Sequence, residues 1–232
     1  MKIKAIKTRI FKPRENLLIF IEKYLHSISE RSVLVVTSKI VALAEGRLVK
    51  YIDEKSKEKI IKDECEFSLN TKYVLLTIKD GVVMANAGVD ESNADGNIIL
   101  LPADSFKAAE KIRKYFCSKY KLKELGVIIT DSRCLPLRAG ITGVALGYAG
   151  FEGLKSYKKT LDIFGRPFKY SRVDVADSLA TAAVLCMGEG DERMPLALIK
   201  EAPIKFCEKI DKKELKIDIK EDMYGPLFRR IK

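Results

Sequence analysis

Val33-Leu34-Val35-Val36-Thr37-Ser38-Lys39-Ile40-Val41-Ala42-Leu43-Ala44-Glu45-Gly46 changes character after its fourth residue. The opening Val-Leu-Val-Val run predicts a short buried strand. Ile40 to Ala44 predicts a helix, with the Thr37-Ser38 hydroxyl pair as its cap and Gly46 as its stop. A strand that passes to a helix through Thr-Ser-Lys is a common way to meet an anion. Free N–H groups and the positive helix end face the ligand, and Lys39 adds a full charge. The spaced glycines of a Walker A loop are missing, and a plain helix cap accounts for the segment equally well.

Working outward, Tyr73 to Ile78 and Val82 to Ala85 are apolar runs joined by Asp80-Gly81, a two-residue hairpin signal. Asn86-Ala87-Gly88-Val89-Asp90-Glu91-Ser92-Asn93 leaves the second run as a loop. Gly88 permits a positive φ, and Asp90 and Asn93 can then point at one ligand; a simple hairpin-end turn is the alternative. Val127 to Thr130 is a buried strand that stops at Asp131-Ser132, with Arg133 and Arg138 close behind to meet an anion. Gly143, Gly147 and Gly150 recur in the next strand, where a backbone or ligand can approach closely. Phe168 to Val173 alternates as a strand. Asp174 or Asp177 then opens an alanine-rich helix that ends at Met187-Gly188-Glu189-Gly190-Asp191-Glu192.

The remaining elements are simpler. Met1 to Ile6 alternates as a strand. Asn16 to Ser27 has helical spacing and contains His26. Asp53 to Phe67 is a charged surface helix, and Ile98 to Leu101 a strand stopped by Pro102. Asp104 caps a long amphipathic helix from Ser105 to about Lys119. Leu196 to Ile199 is a strand, and Asp222 to Phe228 a short docked tail.

The 232 residues suffice for one large domain or two small ones, and 47% hydrophobic with 32% charged residues is ordinary for a globular chain. No apolar run approaches the ~20 residues of a membrane helix. The start lacks signal-peptide features, so a cytoplasmic protein is expected. Cys65, Cys117, Cys134, Cys186 and Cys207 are odd in number and contain no C-x-x-C pair, which suits free thiols rather than zinc or disulfides. His26 is the sole histidine, and no nucleophile motif points to it. The formal charge of +11 favours an anionic partner. The basic residues are scattered without interleaved aromatics, which argues against nucleic acid.

Three separated segments each offer an acid: Asp90, Asp131 and Glu189. Ser132 and Asn93 add neutral oxygens, giving an all-oxygen set suited to Mg²⁺ or Mn²⁺. Carboxylates crowded without a cation repel, and one must take up a proton. With Lys39, Arg133 and Arg138 on the positive side, the set suits phosphoryl transfer from a nucleoside triphosphate. A metal-dependent nucleotide phosphohydrolase and a non-catalytic nucleotide- or RNA-binding module are the alternatives.

Val35-Val36-Thr37-Ser38-Lys39-Ile40, Ala44-Glu45-Gly46-Arg47, Asn86 to Asp90 with Ser92-Asn93, Gly126 to Asp131, and Met187-Gly188-Glu189-Gly190 occur in one order over nearly the whole chain. Together they resemble the coenzyme F420-0:L-glutamate ligase (gamma-glutamyl ligase) family. The resemblance implies an α+β fold of two interleaved α/β lobes with mixed sheets, residues 1–232 forming a single unit. It implies a homodimeric, GTP-dependent ligase using Mg²⁺ or Mn²⁺, with K⁺ a further candidate ion. Such an enzyme activates an acceptor carboxylate as an acyl phosphate and couples it to L-glutamate. The acceptor is coenzyme F420-0 or tetrahydrofolate and its polyglutamates, an anionic glutamylated or lactyl-phosphate-type small molecule. Carried over by position, Asp90, Asp131 and Glu189 are catalytic and, with Ser132, ligate metal. Ser38, Lys39, Asn93 and the loop Met187, Gly188, Glu189, Gly190, Asp191, Glu192, Arg193, Met194 contact the nucleotide, and a backbone segment aligns loosely with Thr8 to Phe11. Two positions depart from the pattern. Leu43 stands where relatives often have lysine, so a phosphate contact is lost or taken by Lys39, and this resembles the folate-glutamylating branch. Ser132 replaces a threonine and keeps its hydroxyl. A carboxyl-terminal flavin-type domain carried by some relatives is not expected here.

Overall fold

The computed structural model describes residues 1–92, 94 and 96–228; Asn93 and Asp95 lie outside them. The strands are β1 (Lys2–Ile6), β2 (Ser32–Thr37), β3 (Leu48–Val49), β4 (Phe67–Asn70), β5 (Leu75–Lys79), β6 (Val82–Ala85), β7 (Ile98–Ile99), β8 (Leu125–Cys134), β9 (Ile141–Ala149), β10 (Leu154–Ser156), β11 (Arg172–Asp174) and β12 (Leu196–Lys200). The helices are α1 (Leu17–Tyr24), α2 (Ser38–Glu45), α3 (Glu54–Asp63), α4 (Ser105–Tyr120) and α5 (Val175–Met187). The fold is α+β.

A five-stranded sheet in the order β1-β12-β2-β8-β9 is the centre. Its β2–β8 pair is parallel and its other pairs are antiparallel. The Val33 to Val36 run is buried on both sides because helices cover both faces, which is why it shows no polar alternation. Leu34 and Val36 face a cluster with Phe20, Ile21, Val41, Ile112 and Phe116 from α1, α2 and α4. Val33 and Val35 face the opposite cluster, where Leu179, Ala180 and Ala183 of α5 pack. The chain leaves this sheet for the small sheets β3-β7 and β4-β5-β6, and later for β10-β11, and returns to it each time.

The glycines of β9 do what their spacing suggests, with one feature the spacing hides. A Cβ on Gly147 would collide with the backbone of Ser105 and lie 2.5 Å from the Phe106 nitrogen; one on Gly143 would lie 2.5 Å from the Ala180 carbonyl oxygen. Thus α4 and α5 both rest on β9 backbone, on opposite faces. Residues four apart in a regular strand share a face. Here the pairing slips between Ile129↔Gly147 and Thr130↔Ala145, so Leu146 is an extra residue and the facing inverts.

Several elements differ from the sequence expectation. β8 does not stop before Asp131: it runs on to Cys134, because Asp131, Ser132 and Arg133 find partners in Val144, Gly143 and Thr142. α1 ends at Tyr24, leaving His26 exposed beyond it. The alternating Phe168 to Val173 segment yields only β11 from Arg172; Pro167, which has no N–H to give a ladder, pairs with Leu161 through an isolated bridge. α3 ends at Asp63 and Phe67 opens β4, while β7 shrinks to Ile98–Ile99. The tail forms a single 3-10 turn at Gly225–Phe228 with Met223 and Leu227 exposed, so it does not dock through them.

Candidate active site

The site lies where β2 ends beside β8, which continues past it to Cys134. Their register pairs Thr37 with Thr130, so the next residues on the two parallel strands, Ser38 and Asp131, are neighbours. The Ser38 hydroxyl and the Ser132 N–H stand close enough to the Asp131 carboxylate to favour its charged form. This changes the expected role of the hydroxyl pair: the Thr37 side chain makes no capping bond at the start of α2, and Ser38 is turned onto the acid.

Asp90 arrives from the other side. Its backbone forms an isolated antiparallel bridge with Ile99, donating to and accepting from it at 2.9 and 2.8 Å. The turn before it is wound tightly, with positive φ at Asn86, Ala87 and Gly88. A Cβ on Gly88 would lie 2.7 Å from the Leu101 side chain, so only glycine fits. The strain at Asn86 and Ala87 is held by side-chain bonds: the Leu75 N–H donates to Asn86 Oδ1 at 3.0 Å, and the Ala87 N–H to the buried Thr77 hydroxyl at 2.8 Å. The Asp90 carboxylate then accepts the Ser92 N–H at 2.7 Å and pairs with Lys39 Nζ at 2.6 Å. Lys39 Nζ also donates to the Ser92 hydroxyl at 2.9 Å.

Glu189 follows the end of α5. Its carboxylate accepts the Ser132 hydroxyl at 2.9 and 3.1 Å. Within the same loop Glu192 folds back to accept the Gly190 N–H at 2.7 Å, and the Arg193 carbonyl accepts the Thr8 N–H at 2.8 Å. The N-terminal segment and this loop therefore meet. Met187 is buried against the α5-side core, whereas Gly188, Gly190, Asp191 and Arg193 are exposed and Met194 is half-buried.

Burial pushes the Asp131 carboxyl up to about 6; the Ser132 and Ser38 hydrogen bonds oppose this, and the charges of Asp90 and Glu189 add to it. Asp131 thus senses the other two acids across the site. Among the described residues, however, no three Asp, Glu, His or Cys side chains stand together as a ready-made ion cluster. Asp90 is engaged by Lys39 and Glu189 by Ser132. The donors present are all oxygen and fit a hard cation, which would take the place of those partners.

Two expected contributors are not gathered here. Arg133 pairs with Asp177 of α5 at 2.7 Å, and Arg138 lies in the exposed turn after β8. Leu43, on the buried face of α2, belongs to the core. Asn93, expected as an oxygen donor, falls outside the described residues. Two contributors were not foreseen: Ser92, which braces Lys39, and Thr77, which holds the turn. A lone threonine in an alternating strand carries no sequence signal for that role.

Fold and site together define a class: an α+β protein that brings three acids, two serines and a lysine to the place where one strand of a parallel pair ends beside the other. Comparison with known sequences gives the family. A sequence model of the F420-0:Gamma-glutamyl ligase family matches residues 5–201. The chain is 36% identical over 191 residues to the coenzyme F420:L-glutamate ligase of Methanocaldococcus jannaschii, covering 80% of this chain and 74% of that one. The protein of that name from Methanosarcina mazei is 31% identical over 199 residues, covering 78% of each. That of Methanococcus maripaludis strain C6 is 43% identical over 140 residues, 60% of this chain. This chain spans 56% of that relative's length. The chain belongs to the F420-0:gamma-glutamyl ligase family. Among the described residues no helix is long and apolar enough to cross a membrane.

Proposed function

We propose that this protein is a GTP-dependent γ-glutamyl ligase that joins L-glutamate to the terminal carboxylate of an anionic acceptor. The observation that carries the reading is the register of β2 and β8, which sets Ser38 beside Asp131, with Lys39–Asp90 to one side and Ser132–Glu189 to the other. The family supports the chemistry, and its own description supports coenzyme F420-0 as acceptor. Leu43 keeps tetrahydrofolate as the second candidate. A homodimer and a cytoplasmic setting belong to the same proposal and rest on the family alone.

In the proposed reaction an acceptor carboxylate oxygen attacks the γ-phosphorus of GTP. The bond from that phosphorus to the β-bridging oxygen breaks, and GDP leaves. The L-glutamate nitrogen then attacks the acyl carbon of the mixed anhydride, the carbon–oxygen bond breaks, inorganic phosphate leaves and the ammonium proton is lost to solvent. Asp90, Asp131, Ser132 and Glu189 would hold Mg²⁺ or Mn²⁺, which when bound supplies Lewis-acid neutralisation of the phosphoryl charge. The uncapped start of α2 and Lys39 would face the phosphates. Lys39, paired with Asp90 in this structure, would exchange that partner for a phosphate oxygen when nucleotide binds. No side chain need become a covalent nucleophile, in keeping with a lone, exposed His26.

The test is mass spectrometry of coenzyme F420-0 and tetrahydrofolate after incubation with the protein, GTP, Mn²⁺ and L-glutamate. Gain of one glutamyl unit on either acceptor is the expected result. Phosphate release that proceeds equally without L-glutamate or acceptor would replace the ligase by a phosphohydrolase.

A further inference from the structure

A cavity of about 540 Å³ lies along the same strand and is not part of the acidic site. It opens between the β5–β6 turn, the start of α4, β9 and the 212–216 segment. Arg133 lines it, one residue along β8 from Ser132, so the cavity and the acidic site share a strand. Its volume suits a small molecule.

The lining divides into two kinds. Met84, Phe106, Val144, Leu146 and Leu215 give it an apolar wall. Lys79, Arg133, Lys212, Lys213 and Lys216 give it cations. Four acids also face it, and three of them are engaged: Asp104 caps the Lys107 N–H, Asp174 caps the Asp177 N–H, and Asp177 pairs with Arg133. Lys79 is likewise held by Glu64 at 3.0 Å. That leaves the exposed Asp80 against Lys212, Lys213 and Lys216, none of which pairs with a carboxylate among the described residues. Lys212 already lies over the Phe106 ring, 5.8 Å from its centre. Arg133 retains a buried Nε–H with no acceptor among the described residues, a donor that a native fold rarely leaves unspent.

We propose that this cavity holds the acceptor, a flat heteroaromatic molecule bearing carboxylate or phosphate groups. Its ring lies against Phe106 and Leu146, its anionic groups meet Lys212, Lys213 and Lys216, and its reactive carboxylate passes Arg133 toward Asp131 and Ser132. The assignment rests on the ligase reading for the identity of the ligand, and on the cavity's own lining for its place. Deazaflavin and folate acceptors share this chemistry, so both serve as probes.

The experiment is calorimetric titration of the full chain with coenzyme F420-0 and, separately, with tetrahydrofolate. Two variants are compared with the parent: Lys212→Glu/Lys216→Glu, which reverses charge, and Ala103→Trp, which fills the cavity mouth from an exposed position. At least about tenfold weaker binding of the preferred acceptor is expected in both, with GTP affinity unchanged within about twofold, because charge complementarity is reversed or access blocked at one site only. Should the charge-reversed chain fail to fold, Ala103→Trp decides alone. Acceptor binding unaltered in both variants, or no binding of either acceptor to the parent, overturns the assignment. The parallel glutamylation assay on the parent separates the two readings. A parent that ligates while the variants bind acceptor normally keeps the ligase and loses the cavity. A parent that binds acceptor through the cavity but never ligates keeps the cavity and loses the ligase.

Discussion

Replacing Asp131 by asparagine is expected to stabilise the metal-free protein while abolishing its activity. The carboxyl has an ordinary value of 3.8 and is pushed up to about 6 in the folded chain, chiefly by burial. A folded-state value above the unfolded one means that the folded chain holds the proton more tightly. Stability is therefore lost as pH rises from about 4 through about 6, and at pH 7.5 the ionised group opposes folding. A difference of about two units corresponds to about 3 kcal/mol at ~1.4 kcal/mol per unit. Asparagine removes the charge and keeps an oxygen for the Ser38 hydroxyl and the Ser132 N–H, but gives back about 1 kcal/mol because those bonds are no longer charge-assisted. The net gain is about 2 kcal/mol, or roughly 4–8 °C in Tm for a chain of this size.

The assay is thermal unfolding in EDTA, followed by circular dichroism at pH 7.5 and pH 5.0. Asp131→Asn should melt higher than the parent at pH 7.5, with the gap narrowing at pH 5.0, where the parent's carboxyl is largely protonated. On adding Mn²⁺ the parent should gain stability by mass action and the variant should not. A variant that melts at or below the parent at pH 7.5, or a gap independent of pH, would refute the argument that crowded, desolvated carboxylates are held there for an absent partner.

Three further perturbations probe what positions the site. Lys39→Met removes the cation that pairs with Asp90, and should raise the KM for nucleotide by roughly tenfold while leaving the KM for L-glutamate unchanged, read by steady-state kinetics. Thr77→Val takes the acceptor from the Ala87 N–H inside a buried turn, and should cost about 2 kcal/mol in urea unfolding with loss of activity through Asp90. Gly147→Ala drives a methyl group into the Ser105–Phe106 backbone, and should cost about 3 kcal/mol, lowering Tm by about 6–12 °C.

Much of the fold was legible because its signals are local. The Val33 to Val36 run, the Asp80-Gly81 hairpin and the Asp104-capped helix follow from composition within a few residues, and each is present. The boundaries that failed depend on distant partners. β8 extends past Asp131 because β9 offers it a ladder, and Ser38, expected to cap α2, faces an acid nearly a hundred residues away. The candidate acids were legible as strand-end and loop residues, but their present partners were not. From the sequence, Lys39 and Arg133 are free to meet an external anion; in the fold both lie on internal carboxylates, Asp90 and Asp177. A sequence gives the charge of a side chain but not which opposite charge the fold brings first.

The extra residue in β9 ties these observations into one argument. Without it, Gly143 and Gly147 would share a face, and a single helix would meet both. With it, α4 sits on one side of β9 and α5 on the other, each close enough to touch backbone. The starts of both helices then stand at the rim of one cavity, and the same irregularity falls opposite Ile129 and Thr130, just before the strand presents Asp131 and Ser132. Bulges commonly re-aim side chains beside functional sites. Here one inserted residue decides which way the acid-bearing end of β8 meets its neighbours and where the cavity opens. Deleting Leu146 should therefore damage acceptor binding and the acidic site together, whereas a substitution that keeps the residue count, Leu146→Ala, should leave the acidic site intact, as judged by Mn²⁺-dependent stabilisation. Equal loss of that stabilisation in both variants would mean that the side chain rather than the inserted backbone sets the geometry.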